Sequence, residues 1–161
     1  MTVEPIKVLL IEDNIGDYEL ILRMLHNSEN AKFELTHTKK LGSGLELLKS
    51  NEFDVILLDL GLPDCKGLNS FKIVFKNYNT TPIIILTGLA NEEIGIKSIK
   101  YGAQDYLVKG EFNGKLLVRA IQYAIERKKL EGLFVYWSKI ISNSNLKLIL
   151  DSSFKNLKKN I

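Results

Sequence analysis

At 161 residues, with 45% hydrophobic and 25% charged positions, the chain has the composition of a soluble globular protein and the length for one ordinary domain with something extra. No apolar run approaches the ~20 residues that cross a bilayer, and residues 1–5 lack the basic and apolar regions of a signal peptide, so a cytoplasmic protein with no membrane partner is expected. The net charge of +3 belongs to the chain beyond Leu130, where Lys139, Lys147, Lys155, Lys158 and Lys159 outnumber Glu131 and Asp151. The neutral remainder carries no dense basic patch, which argues against nucleic-acid binding, and the lone Cys65 excludes an internal disulfide and reads as an incidental thiol.

Residues 6–11 form an apolar run of strand length that stops at Glu12 and Asp13. Asp13 and Asn14 are good helix N-caps, and Tyr18, Leu20, Ile21, Leu22, Met24 and Leu25 then supply one apolar helical face that ends at residues 27–30. Residues 33–38 alternate apolar and polar, the pattern of a strand with one wetter face at a sheet edge. Leu41, Leu45, Leu47 and Leu48 mark a second helix up to Ser50 and Asn51. Residues 54–58 are a buried-strand run that ends at Asp59 and turns at once through Gly61 and Pro63. Phe71, Ile73, Val74 and Phe75 carry a third helix, stopping at residues 77–79. Pro82 opens a fourth strand that runs into Thr87 and Gly88. Asn91 has the character of a cap before Ile94, Ile96 and Ile99, and Gly102 that of a C-terminal stop. A fifth strand, residues 105–108, ends at Lys109, and Leu116, Leu117, Ala120, Ile121, Ala124 and Ile125 form the fifth helical stripe. Five strands alternating with five helices are repeated βαβ units, which give a doubly wound parallel sheet covered on both faces.

In such sheets ligands bind in the crevice outside the carboxyl ends of the strands. If the strands are parallel and adjacent, Glu12, Asp13, Asp59, Thr87 and Lys109 converge there. An acid pair after a strand can simply cap a helix and favour its dipole, a Thr can serve β-propensity alone, and a Lys can be solvated surface. Carboxylates gathered that closely repel unless a cation sits among them, however, and an oxygen site with open positions suits Mg²⁺. An ammonium beside it can pair with the acids or with phosphoryl oxygens. Dinucleotide binding is disfavoured, because only Gly16 follows the first strand.

This constellation, with Tyr106 three residues before Lys109, resembles the receiver domain of two-component response regulators over residues 6–129. The resemblance implies a flavodoxin-like sheet of order 2-1-3-4-5. It also implies that Asp59 accepts a phosphoryl group from a histidine kinase or phosphotransfer protein. Asp13, Asp59 and the backbone carbonyl of Gly61 would hold Mg²⁺ with Glu12 assisting, Thr87 and Lys109 would bind phosphoryl oxygens, and Tyr106 would be an aromatic switch that follows Thr87. On this reading the chain is not a classical enzyme but a regulatory phosphoacceptor with self-phosphotransfer and self-dephosphorylation chemistry. One position departs from the family, which usually carries a cis-bonded proline after the lysine, whereas this chain has Gly110. His26 and His37 map away from the site and read as incidental. A phosphohydrolase with an Asp nucleophile is the weaker alternative, since Leu60 and Gly61 follow Asp59 without a second acid. A receiver-like interaction module that is never phosphorylated is the other, and the complete residue set argues against it.

A five-helix receiver is finished by about residue 130, yet Leu133, Phe134, Trp137, Ile140 and Ile141 continue an apolar stripe at helical spacing. Residues 142–145 read as a break before Leu146, Leu148, Ile149, Leu150, Phe154 and Leu157, a further amphipathic helix. Residues 131–161 are therefore expected to be a helical extension or linker, with residues 138–161 weakly resembling the opening helix of a GAF domain. The apolar surface of this extension either folds back on its own domain or pairs between two chains, and a homodimer would form through the face of helix four, strand five and helix five or through the C-terminal helix.

Overall fold

The computed structural model describes residues 4–143, which divide between two compact units, Met1–Lys128 and Lys129–Ile161. The first unit contains five strands, β1 (Ile6–Ile11), β2 (Phe33–Thr38), β3 (Val55–Asp59), β4 (Ile83–Thr87) and β5 (Asp105–Val108), in one sheet of order β2-β1-β3-β4-β5. Every pairing is parallel, with Ile11 opposite Leu58, Asp59 opposite Leu86 and Thr87 opposite Val108. This is the flavodoxin-like doubly wound fold. Between the strands run α1 (Ile15–His26), α2 (Leu41–Ser50), α3 (Leu68–Tyr78) and α4 (Glu92–Lys100), and α5 (Gly114–Asn143) follows the last.

The side-chain period of 2 explains how one sheet feeds two cores. From β1, Val8 and Leu10 join Leu57, Ile84 and Leu107 beneath Ile21 and Leu25 of α1 and Leu117 and Ile121 of α5. Leu9 and Ile11 point the other way, to Ile56, Leu58, Ile83 and Ile85 beneath Leu41 and Leu48 of α2 and Phe71 and Val74 of α3. The three inner strands are buried on both faces, which is why they read as unbroken apolar runs. The alternating β2 is half-buried and lies at the sheet edge.

Two helix boundaries differ from the sequence reading. Asn91 does not cap α4 with its side chain: it is the last residue of a 3-10 turn, Leu89–Asn91, that runs directly into the helix, so its backbone is already committed to turning. The break expected over residues 142–145 does not begin at Ser142, because α5 continues through Asn143. The further amphipathic helix, and the GAF-like segment beyond Asn143, lie outside the described residues. Within the second unit, Leu130, Leu133, Phe134, Val135, Tyr136, Trp137 and Ile141 of α5 are exposed, Phe134 to 76%.

Candidate functional site

The order of the sheet reverses between β1 and β3, and the carboxyl ends of these two strands form one wall of a cleft of about 280 Å³. Glu12 and Asp13 enter it from the end of β1, Asp59 from β3, Thr87 from β4 and Lys109 from β5, whose long side chain reaches past the intervening strand. A larger depression of about 440 Å³ between β2 and α2 lacks converging acids and an ammonium, so the chemistry is not there.

Lys109 organises the cleft. Its Nζ lies 2.6 Å from Glu12 Oε2, 2.8 Å from Asp59 Oδ1 and 3.0 Å from Asp17 Oδ2. The other Asp59 oxygen accepts from the Gly61 amide at 2.8 Å, which ties the loop after β3 to the carboxylate. Glu12 Oε1 accepts from the Asn14 amide at 3.0 Å, and Asn14 in turn caps α1 by accepting from the Asp17 amide. One oxygen of each of Glu12, Asp13 and Asp59 falls within 4.8 Å of the others. Glu12 is fully buried, and its Oε2 relies on the Lys109 ammonium beside it.

Burial is the main influence on Glu12: its carboxyl is pushed up to about 7, with Asp59 adding repulsion and Lys109 opposing the shift. Burial alone would lower Lys109, but its hydrogen bonds to Asp59, Glu12 and Asp17 outweigh that and raise it above an ordinary lysine. Lys109 is thus held charged, and it faces four carboxylates as their sole cation among the cleft residues. The remaining negative charge and the spacing of Glu12, Asp13 and Asp59 fit a hard divalent cation such as Mg²⁺.

Thr87 is buried, and its hydroxyl donates to the Gly88 carbonyl at 3.0 Å, so in this structure it is turned along the chain. Tyr106 is half-buried, with its hydroxyl 3.4 Å from Glu92 Oε1 of α4. Burial, then Glu92, raises its phenol. Between the two lies Gly95, where a Cβ would meet Tyr106 Cδ2 at 2.9 Å and Thr87 Cγ2 at 3.3 Å. The bond after Lys109 is trans, and Gly110 adopts φ 86°, a left-handed conformation open to glycine and closed to proline. The departure from the family's proline therefore has a backbone reason.

The structure brings Glu12, Asp13, Asp59, Gly61, Thr87 and Lys109 to one cleft and sets Tyr106 behind Thr87 against α4. Sequence reasoning missed Asp17, Asn14 and Asn91 on the cleft wall. Asp17 was reachable, since it stands in the first turn of a helix that starts at the same strand end. The reading of His37 as incidental is corrected: its Nε2 lies 2.7 Å from the Glu12 carbonyl oxygen, and its ring stacks on Tyr18. Pairing of β2 with β1, which lines up His37 with Leu10, is what carries it there.

A doubly wound parallel sheet with an acid cluster and a lysine at its carboxyl edge is the arrangement of a receiver domain. The chain belongs to the response regulator receiver domain family, whose model matches residues 8–122. It is a receiver domain of the two-component response regulators. It is 34% identical over 123 residues to the cell cycle response regulator CtrA of Brucella ovis, covering 76% of this chain and 51% of that protein, and the same figures hold for CtrA of Brucella anthropi. The chain thus spans about half the length of the curated relatives it matches. Among solved structures, a response regulator receiver domain protein from Clostridium thermocellum aligns with TM-score 0.68 and 29% identity, over 78% of this chain and 98% of that one. A CheY-like receiver from Methanospirillum hungatei aligns with TM-score 0.68 at 23% identity over 80% and 99%, a likeness of fold. Among the described residues no helix is long and apolar enough to cross a membrane.

Proposed function

We propose that this receiver accepts a phosphoryl group on Asp59 from the phosphohistidine of a histidine kinase or phosphotransfer protein. The observation that carries the reading is Asp59 itself, 5% exposed at the end of the strand beside β1, with Lys109 at 2.8 Å and the carboxylates of Glu12 and Asp13 close by. An Asp59 carboxylate oxygen attacks phosphorus in line, the P–N bond to the donor imidazole breaks, and an acyl phosphate forms while the imidazole leaves with the bonding pair. Asp13, Asp59 and the Gly61 carbonyl would hold Mg²⁺ with Glu12 assisting, and the ion when bound offsets phosphoryl charge. Lys109 exchanges its contact with Asp59 for a phosphoryl oxygen. Thr87 releases Gly88 and turns its hydroxyl to the same group, and Tyr106 follows inward toward Thr87. The altered packing of α4, β5 and α5 is then what a partner reads.

Incubation of the protein with Mg²⁺ and acetyl phosphate should add one phosphate by intact mass, and Asp59→Asn should add none. Label that persists in Asp59→Asn would overturn the assignment. Residues 1–130 act as the receiver on this reading, and the extension beyond them is a helical linker toward an output or sensor domain. The exposed Leu130, Leu133, Phe134 and Trp137 support pairing of that helix between two chains.

A further inference from the structure

We infer that Tyr18 and His37 form a positioning pair that sets the aim of the acids at the end of β1; the inference rests on the Mg²⁺ site proposed above and names a residue outside its ligand set. The last ladder bond between β1 and β2 is donated by the Glu12 amide to the Thr38 carbonyl at 2.9 Å. Beyond it β2 turns toward α2, so the next acceptor, the carbonyl of Glu12 just after β1, has run out of strand to pair with. Buried backbone acceptors are rarely left open. Here the imidazole of His37 stands in for the missing strand, with Nε2 at 2.7 Å. A carbonyl oxygen only accepts, so Nε2 carries the hydrogen and donates.

The ring is held as well as bonded. Tyr18 of α1 stacks on it with centroids 4.0 Å apart and planes 11° from parallel. Tyr18 also donates its amide to the Asn14 carbonyl at 3.0 Å, within the turn whose Asn14 amide is bound by Glu12 Oε1. The carbonyl that His37 holds belongs to the peptide joining Glu12 to Asp13, and rotation of that peptide would swing both carboxylates. His37 therefore acts on the acids through the backbone and touches no phosphoryl group or metal. Groups that orient metal-binding residues without touching the ion commonly matter 10–100-fold for affinity. A bond to the backbone of one acid should sit at or below the lower end of that range.

The test is calorimetric titration of MgCl₂ into the full chain, with urea unfolding in the absence of Mg²⁺ as the measure of fold. His37→Phe keeps the stack on Tyr18 and removes the donor. Its Mg²⁺ dissociation constant should rise about three- to tenfold. His37→Gln places an amide donor near the Nε2 position and should restore affinity to within about twofold of wild type, which a merely structural role would not predict. Tyr18→Leu, which leaves the donor without its platform, should fall between the two. In the unsubstituted protein the His37 ring NH signal should shift with the same Mg²⁺ midpoint. An unmoved ring signal, His37→Phe binding as tightly as wild type, or His37→Gln as weak as His37→Phe would overturn the inference; should His37→Phe not fold, the ring signal and Tyr18→Leu decide it. If wild type itself takes up no Mg²⁺, the site reading fails and this inference falls with it.

Discussion

Three carboxylates, Glu12, Asp17 and Asp59, share one ammonium in the cleft, and Asp13 adds a further negative charge beside them. Asp13 has the least structural excuse: it is exposed, and its carboxyl lies within 4.8 Å of those of Glu12 and Asp59. Asp13→Asn should therefore stabilise the Mg²⁺-free protein by about 0.5–2 kcal/mol, as relief of a strained functional site commonly does, while abolishing phosphorylation. Urea unfolding in chelator paired with the acetyl phosphate assay checks both halves, and a less stable variant would contradict the electrostatic reading. Lys109 needs the opposite accounting. Its folded pKa lies above that of the unfolded chain, so its stabilisation is fully present below about pH 10 and is lost only as pH rises through the folded value. The neutral range leaves its charge alone.

Elements that frame the cleft are tied by contacts between distant segments. Lys40, at the N-cap position of α2, gives no side-chain cap; Asp64, from the loop after β3, accepts from the Leu41 and Gly42 amides at 2.9 Å each. Asp64→Ala should cost about 0.5–2 kcal/mol at neutral pH, the range for a lost N-cap. The Gly42 amide first, with the Leu41 amide, holds Asp64 below the usual carboxylate range. A depressed carboxylate contributes its stability above the unfolded pKa and loses it as pH falls through the folded one, so the gap between variant and wild type should close below about pH 4. Unfolding curves at neutral and acid pH measure it. At α4 the relevant position is Gly95. Alanine there gains about 1 kcal/mol of helix propensity but places Cβ 2.9 Å from the Tyr106 ring, and overpacking costs about 1–3 kcal/mol. Gly95→Ala should be no more stable than wild type and should move the Tyr106 ring resonances and the acetyl phosphate phosphorylation level together. A variant with unmoved ring signals would show that the packing there is slack.

For the whole molecule the open surface is the far end of α5. A helix that keeps Phe134 at 76% and Trp137 at 57% exposure presents far more apolar area than solvation favours. Sedimentation of the full chain should report a dimer, and of a chain ending at Lys129 a monomer. Monomers in both, with and without a phosphate mimic, would remove the pairing reading. Amide exchange on adding a phosphate mimic should change along α4, β5 and the first half of α5. Changes confined to the loop after Asp59 would mean that nothing is propagated.

The sequence by itself determined the strands, the helices and most of the cleft, because each inner strand is a continuous apolar run and each stops at a residue whose chemistry is out of place in a core. Asp59, Glu12 and Lys109 were legible from that abrupt change alone, and the receiver family from their order. What the tertiary structure decided are the contacts set by register and loop geometry. Asp17 reaches Lys109 because α1 starts at the site. Asp64 caps α2 across a separation of 23 residues. Gly110 turns left-handed where the family has proline. His37 shows the limit most clearly: nothing near it in the chain marks it, and only parallel pairing of β2 with β1, with Tyr18 brought over by α1, lays its ring against the Glu12 carbonyl. Local patterns encode which segments are strands and helices. Which side chain from one segment meets which backbone atom of another follows from packing the whole sheet.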